Sequence, residues 1–197
     1  MSEPARGKLI VISGPSGSGK NTVIRRLLER TRHPLVLSVS VTTRPPRPGE
    51  RDGVDYFFVS PQEFERMKAA GEFVECAQYV GHWYGTPRRW LDEQLHQGRW
   101  VLLEIDVQGA LQIKRQFPDA VLIFLRTPSL EEYERRLRRR GTEDERALRE
   151  RLAQATRELE FAQHYDYEVV NDDVDRAVDQ IETILDAVGG EPACTKN

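Results

Sequence analysis

The chain has 197 residues, enough for one well-buried α/β domain with a small insertion or lid, and short for two independent domains. Its formal net charge of −3 excludes a generally basic protein, so we expect no nucleic-acid or membrane partner and predict that any basic site is local. The two cysteines, Cys76 and Cys194, lie far apart, and no apolar run has membrane-spanning length. We therefore expect a reduced, cytoplasmic protein, and nothing in the sequence indicates an obligate protein partner.

The first elements of the chain predict a phosphate-binding loop. Residues 8–13 (KLIVIS) predict a buried strand, and residues 19–31 (GKNTVIRRLLERT) predict a helix. Between them, residues 14–20 (GPSGSGK) follow the pattern G-x-x-x-x-G-K, in which backbone N–H groups and the lysine bind phosphates. The alternative is a Gly- and Ser-rich turn that binds nothing. We predict that a nucleoside triphosphate binds here, through Gly14, Pro15, Ser16, Gly17, Ser18, Gly19, Lys20, Asn21 and Thr22.

Asn21 departs from this pattern, which has a magnesium-binding Ser or Thr hydroxyl after the lysine. The Thr22 side chain is rotated by about 100° around the helix axis relative to position 21, so its hydroxyl cannot simply replace the missing one. An Asn amide oxygen can ligate a hard cation, and magnesium relies largely on water and substrate phosphates. We therefore predict a working site.

The next segments predict an inserted lobe. Residues 35–43 (LVLSVSVTT) predict a second strand that runs into a Pro- and Arg-rich loop. Residues 56–71 predict a short strand and a helix that is capped by Ser60 and Glu63 and ends at Gly71. Residues 72–85 (EFVECAQYVGHWYG) alternate like an antiparallel hairpin that turns near Gly81.

From residue 86 onward the sequence again alternates between helices and strands. Helices are predicted over 86–98, 107–117, 129–141, 142–165 and 174–188, and strands over 99–106, 120–125 and 167–170. Alternation of this kind predicts an α/β fold with a parallel sheet flanked by helices. Ser129 with Glu132 and Thr142 with Glu145 predict further capping boxes.

Four side chains of the lobe are suited to one anion. Arg44 and Arg47 lie in a rigid Pro-containing loop and could grip a monophosphate in bidentate fashion, and Tyr56 and Tyr84 could add hydroxyl donors. The alternative is a solvated basic loop. Glu75 lies on a strand among apolar residues, where a carboxylate facing inward needs a pair of donors; the alternative is a solvent-facing strand residue.

Two further groups of charged residues follow. Glu104 and Asp106 lie on one face at the carboxyl end of a buried strand, where ligands of parallel sheets bind, although Asp106 is also a good N-cap for the next helix. The segment ERRLRRRGTEDERALRER concentrates arginine in two helices; such runs are usually solvated faces with pairs such as Glu132 with Arg136.

Six segments taken together resemble the guanylate kinase family, which phosphorylates GMP from ATP. They are GPSGSGK, SVSVTTRPPRPGERDGVDYFFV, FVECAQYVGHWYGTP, EIDVQG, RRLRRRGTEDERALRERL and VVNDD, and the resemblance runs from about Gly7 to Val188. It implies a single domain of the P-loop NTPase type over residues 1–189, with a core at 7–43 and 87–188. It also implies a mostly antiparallel GMP-binding lobe at 44–86 and a helical arginine-rich lid at about 136–155; we expect a disordered tail at 190–197.

The resemblance also implies roles for individual residues. The substrates would be ATP and GMP, with dGMP as a further acceptor and Mg²⁺ as the cofactor. Catalytic charge would come from Lys20, Arg44, Arg136, Arg140 and Arg151. GMP would bind Ser40, Arg44, Arg47, Tyr56, Glu75, Tyr84, Thr86 and Asp106. Glu104 and Asp106 would hold magnesium through water, and Asn171 would contact the adenine side of ATP, although Asn-Asp-Asp after a strand is also ordinary turn chemistry.

Two rival functions remain at this point. A guanylate-kinase-like interaction module would keep the fold without nucleotide chemistry, but such modules typically lack phosphate-loop residues such as Lys20. A kinase for AMP would place the adenine N1 acceptor against the Glu75 carboxylate and leave both unpaired. Thr86, before Pro87, could also be only a helix N-cap, and Ser40 alone indicates little.

Overall fold

The strands form two sheets in the computed structural model, which describes residues 6–139 and 145–190, apart from the side chains of residues 139 and 145–147. The strands are β1 (Leu9–Ser13), β2 (Leu35–Leu37), β3 (Val41–Thr42), β4 (Phe57–Phe58), β5 (Phe73–Tyr79), β6 (His82–Pro87), β7 (Trp100–Glu104), β8 (Val121–Arg126) and β9 (Tyr167–Val170). The helices are α1 (Lys20–Arg30), α2 (Pro61–Ala69), α3 (Arg88–His96), α4 (Val107–Gln116), α5 (Leu130–Arg139), α6 (Glu145–Leu159) and α7 (Val174–Gly189), with a 3₁₀ helix at Glu160–His164.

The larger sheet has five strands in the order β2-β7-β1-β8-β9. Strand β2 pairs in parallel with β7, and β8 pairs in parallel with β9. Helices alternate with these strands along the chain, so the predicted α/β class with a parallel sheet is confirmed. No helix in the described ranges has both the length and the apolar character that crossing a bilayer requires.

The chain divides into two compact units. The first contains the described residues up to Val11 together with Pro34–Val121, and the second contains Ile12–His33 together with the described residues from Leu122 onward. The first unit includes the smaller sheet, and the second includes the segment between β1 and α1.

The smaller sheet has the strand order β4-β3-β6-β5. Its β5–β6 hairpin and its β3–β6 pair are antiparallel, whereas β3 and β4 are parallel, which confirms a mostly antiparallel lobe. The hairpin turns at Val80 and Gly81, both at positive φ (46° and 78°), as a two-residue turn of type I′ requires. Val41, Phe64 and Phe73 form its buried core, and the rings of Phe64 and Phe73 stack at 4.6 Å.

The second unit is held together by buried apolar faces. Residues Val23, Ile24 and Leu27 of α1 are buried, as are Val178, Ile181 and Leu185 of α7. Polar pairs cross the surface between the two helices: Arg26 lies 2.9 Å from Asp175. Strand β8 has a fully buried run at 122–125.

The predicted single strand at residues 35–43 is wrong. Strand β2 ends at Leu37, because the Ser38 N–H makes its last bond to the Leu102 carbonyl. Residues Val41 and Thr42 then join the smaller sheet, where the Phe57 N–H bonds the Ser40 carbonyl. Residue 41 thus enters the smaller sheet ahead of the predicted start of the lobe at 44.

The helix starts differ from prediction in two places. Thr86 is not an N-cap: it lies in β6, and α3 begins at Arg88 after Pro87. The Ser60 hydroxyl caps α2 by accepting from the Glu63 N–H, but the Glu63 carboxylate bonds Arg66 instead of closing the capping box. The capping box at Thr142 and the tail after Gly190 lie outside the described residues.

Candidate functional site

The predicted phosphate loop connects β1 to α1 in the second unit. Gly14, Gly17 and Gly19 have φ values of 144°, 97° and 90°, which only glycine adopts readily. A Cβ atom at Gly14 would lie 2.0 Å from the Leu125 carbonyl oxygen. The loop can therefore have this path only with glycine at these positions, and its backbone leads directly into the N-terminus of α1.

Lys20, the first residue of α1, folds back over the loop. Its ammonium donates to the carbonyl oxygens of Gly14 at 2.6 Å and Pro15 at 3.2 Å. Ser16 is half-buried, while Asn21 and Thr22 are exposed on the first turn of the helix. The loop thus presents one cation and a helix N-terminus together, which is the arrangement that binds phosphate groups.

Two residues donate hydrogen bonds to the Ser18 carbonyl of the loop. It accepts from Asn171 Nδ2 at 2.7 Å and from Arg136 Nη1 at 3.3 Å. Arg136 Nη2 also donates to the Asn171 carbonyl at 2.8 Å, and its Nε donates to Glu132 Oε1 at 2.7 Å. The expected Glu132–Arg136 pair is confirmed, and Arg136 and Asn171 lie beside the loop.

The other two arginines predicted for the lid are Arg151 and Arg140. Arg151 is half-buried on α6, and Arg140 lies outside the described residues. Of the two helices predicted for the lid, α5 and α6 are both present. Closure of these arginines over ATP stays a prediction.

In the first unit, Arg44 is the centre of the predicted anion site. The residue is only 9% exposed; its Nη1 donates to the Pro45 carbonyl at 2.8 Å and its Nη2 to Glu50 Oε1 at 2.9 Å. Burial opposes the charge of Arg44, but hydrogen bonds with Glu50 and Tyr84 outweigh it and raise its pKa. The guanidinium therefore stays charged while lying 5.4 Å from the ring centre of Tyr56.

Tyr56 and Tyr84 lie close together, with ring centroids 6.0 Å apart. Burial, and then the charge of Glu104, raises the pKa of Tyr56 to about 12, so its hydroxyl keeps its proton near neutral pH and can donate. The Arg47 side chain is exposed. The structure thus brings Arg44, Tyr56 and Tyr84 together and places Arg47 in the same loop.

Glu50 is a residue of this site that the sequence interpretation missed. One carboxylate oxygen accepts from Arg44 and the other from the Arg47 N–H at 2.7 Å. The bond with Arg44 lowers the Glu50 pKa, which keeps the group ionised. An acid within the RPPRPGE loop was the available indication that one arginine would be paired.

Glu75 lies on β5 opposite Thr86 of β6 and is 4% exposed. The Thr86 hydroxyl donates to Glu75 Oε1 at 2.6 Å. Burial is the largest cause that raises the pKa of Glu75 to about 7; the nearby charge of Asp106 also raises this pKa, whereas hydrogen bonds from Thr86 lower it. The prediction of an inward-facing carboxylate is confirmed, and the alternative of a solvent-facing Glu75 is wrong. Ser40 is half-buried before β3.

Glu104 is the last residue of β7 and Asp106 lies two residues beyond it; both are half-buried. Asp106 Oδ1 accepts from the Gly109 N–H at 2.9 Å, which confirms its N-cap role for α4. Among the described residues, no group of three or more His, Cys, Asp or Glu could hold a metal ion. Two carboxylates fit a cation that takes most of its ligands from water and phosphate.

Comparisons with known proteins agree on one family. Residues 6–188 match the family model described as guanylate kinase. The guanylate kinase of Synechococcus sp. (strain JA-3-3Ab) is 51% identical over 181 residues, covering 91% of this chain and 82% of the relative. The guanylate kinase of Thermosynechococcus vestitus is 52% identical over 183 residues, covering 92% and 95%. The crystal structure of guanylate kinase from Anaplasma phagocytophilum superposes with a TM-score of 0.78 at 39% identity, covering 93% and 87%.

Proposed function

The chain belongs to the guanylate kinase family, and on that premise we propose that it transfers the γ-phosphoryl group of MgATP to GMP, giving ADP and GDP. We extend the proposal to dGMP as a second acceptor. The observation that carries the choice of acceptor is the buried Glu75 carboxylate, held by the Thr86 hydroxyl at 2.6 Å.

Glu75 suits guanine because its carboxylate accepts hydrogen bonds. Guanine offers two adjacent donors, N1–H and the N2 amino group, to an ionised carboxylate. Adenine has an acceptor at N1, so AMP would leave a buried carboxylate unpaired. A site built on such bonds rejects the wrong partner by about 10⁴-fold or more. We propose that Thr86, Ser40 and Asp106 complete the contacts to the base.

We propose that the GMP phosphate binds Arg44, Arg47, Tyr56 and Tyr84. Arg44 is already charged and oriented by Glu50 and the Pro45 carbonyl, so little side-chain freedom is lost on binding. Arg47 is exposed and supplies a second guanidinium from the same loop. The protonated hydroxyl of Tyr56 adds a donor to the same anion.

For ATP, we propose that the loop 14–20 binds the phosphates and that Asn171 lies near the adenine. Phosphoryl transfer depends on in-line positioning and on cationic charge around the transferring group. That charge would come from Lys20, Arg44, Arg136, Arg140 and Arg151.

Mg²⁺ would neutralise charge on the ATP phosphates, and Glu104 and Asp106 would hold it through water. Asn21 stands where the loop pattern has a hydroxyl, so we propose that it changes metal affinity without removing activity. We also propose a cytoplasmic location, which suits the two distant cysteines, Cys76 and Cys194.

The test is ADP formation from MgATP with GMP as acceptor, run beside AMP, CMP, UMP and no acceptor. We expect rapid turnover with GMP alone, and a large but measurable fall in kcat/KM for GMP in Glu75→Gln, whose amide nitrogen faces the guanine donors. Equal, slow ADP release with and without GMP would leave an ATPase or a binding module as the better account.

A further inference from the structure

Helix α4 lies along the open edge of the smaller sheet. Strand β5 is an edge strand in the order β4-β3-β6-β5, so one row of its backbone groups has no strand partner. The Gln112 side chain supplies one: its Oε1 accepts from the Cys76 N–H at 3.3 Å and its Nε2 donates to the Cys76 carbonyl at 3.0 Å. Gln116 Nε2 donates to the Val74 carbonyl. The two amides thus hold the residues on either side of Glu75.

A bulge in β5 turns Glu75 toward Thr86. Phe73 pairs with Pro87 and Glu75 pairs with Thr86, so two steps along β5 match one step along β6. Val74 is the extra residue of the bulge, and a regular register would put Val74, instead of Glu75, opposite Thr86. The Gln116 bond to the Val74 carbonyl therefore falls on the residue that sets the direction of the Glu75 side chain.

Gly109, one turn before Gln112 on α4, leaves room for the Glu75 carboxylate itself. A Cβ atom at Gly109 would lie 2.6 Å from Glu75 Oε2 and 3.2 Å from its Cδ. The first of these distances is shorter than any contact that carbon and oxygen tolerate, and Oε2 is the end of a rotatable side chain. An added methyl group would therefore push the carboxylate away from its position.

Gly109, Gln112 and Gln116 lie three and four residues apart, on one face of α4. We propose that this face positions the Glu75 carboxylate, and so sets the selectivity for guanine over purines that lack the N2 amino group. The inference rests on the proposed function, because it assigns Glu75 to the base of GMP. The three residues of α4 are positioning residues that act through β5 and Glu75.

The readout is the ratio of kcat/KM for GMP to kcat/KM for IMP, whose base keeps N1–H but lacks the N2 amino group. A displaced carboxylate loses the second bond, which only GMP can make, so GMP suffers more than IMP. Because both rate constants come from one preparation, partial unfolding lowers them equally and leaves the ratio unchanged. The ratio therefore separates positioning from a loss of folded protein.

The first variant is Gln112→Met, which keeps the length of the side chain and removes the bonds to Cys76. We expect the GMP/IMP ratio to fall at least about tenfold, because the displaced Glu75 carboxylate loses its hydrogen bond from the N2 amino group of GMP, and that bond is to a charged group. Gln62→Met, on the exposed face of α2, is the matched control and should leave the ratio unchanged. An unchanged ratio in Gln112→Met, or equal losses for GMP and IMP, would overturn the proposal.

The second variant is Gly109→Ala, which favours the helix by its propensity and should not unfold α4. We expect the same fall in the GMP/IMP ratio as in Gln112→Met. In a Glu75→Ala background the added methyl group has no carboxylate to displace and keeps a contact with Ile105 Cδ1 at 3.3 Å, so Gly109→Ala should then leave the GMP/IMP ratio unchanged. Equal effects of Gly109→Ala in the two backgrounds would show that Gly109 acts independently of Glu75 and would overturn the proposal.

The wild-type protein separates this inference from the proposed function. If the wild type does not phosphorylate GMP, the proposed function fails. If the wild type phosphorylates GMP and either α4 variant keeps the wild-type GMP/IMP ratio, only the positioning role of α4 fails.

Discussion

At the scale of single residues, the buried Glu75 carboxylate makes acceptor binding depend on pH. Its pKa is raised to about 7, first by burial, and only the ionised form accepts both donors of guanine. The carboxyl is protonated below that pKa, so competence is lost as the pH falls through 7. We expect kcat/KM for GMP to rise about tenfold between pH 6 and pH 8 and then to level off.

Glu75→Gln is the control for this pH profile, because the ionisation of the GMP phosphate near pH 6 affects both proteins equally. The variant should keep the phosphate ionisation and lose the step near pH 7. A step near pH 7 of the same size in Glu75→Gln would assign it to another group.

Arg44 and Arg47 make a second residue-scale contrast. Arg44 is 9% exposed and bonded to Glu50 and the Pro45 carbonyl, whereas the Arg47 side chain is exposed. A lysine at 44 cannot keep these bonds and also grip a phosphate in bidentate fashion. We expect Arg44→Lys to raise KM for GMP about tenfold or more, with KM for ATP unchanged.

Arg47→Lys is the matched substitution in the same loop. It keeps an exposed cation that a flexible side chain can bring to the phosphate, so we expect a change of only a few-fold in the KM for GMP. Steady-state kinetics with each substrate varied in turn make the comparison. A loss from Arg47→Lys as large as that from Arg44→Lys would mean that burial and pairing do not set the contribution of Arg44.

At the scale of elements, the β5–β6 hairpin carries backbone strain at its turn. Val80 has φ 46° and is 62% exposed, so a β-branched residue takes a left-handed conformation with little packing in return. Val80→Asn would create Asn-Gly, the preferred pair for such a turn. We expect stabilisation by about 1 kcal/mol, which raises Tm by about 2–4 °C in a chain of this size.

Val54→Asn is the control, because Val54 is 53% exposed and is not among the described residues with positive φ. Thermal unfolding followed by circular dichroism should show a higher Tm for Val80→Asn only. Equal shifts in both variants would indicate a general effect of removing exposed valine, and the turn would then not be the cause.

The sequence predicted most elements because apolar residues recur with the helix or strand period wherever a helix or strand buries one face. It failed at residues 35–43, since an apolar β-branched run does not show that Leu37 and Val41 belong to different sheets. From side-chain chemistry the sequence predicted an inward-facing Glu75 and an anion-binding Arg44, but it did not indicate Glu50, Gly109 or Gln112. Gly109 and Gln112 act across contacts more than 30 residues apart in sequence, and Glu50 acts through a loop path that no periodic pattern reveals.

At the scale of the whole molecule, the proposed GMP and ATP residues fall in different units. Those proposed for GMP lie within Pro34–Val121, and those proposed for ATP lie within Ile12–His33 and the described residues from Leu122. A ligand slows amide exchange most where it reduces local opening. We expect GMP alone to slow exchange in the loop 44–50 and in β5–β6, and ATP alone to slow it in residues 14–22 and α5.

Hydrogen exchange followed by mass spectrometry resolves these segments as separate peptides. Any ligand also stabilises the folded state as a whole, by RT ln(1 + [L]/Kd), and this slows every amide that exchanges through global unfolding. Peptides of α7, whose buried face packs in the second unit, report that general effect and serve as the internal reference. Protection by GMP that is greater than the α7 reference in β5–β6, and no greater than it in residues 14–22, would support the assignment. The reverse pattern would place the acceptor base elsewhere and remove Glu75 from the proposed mechanism.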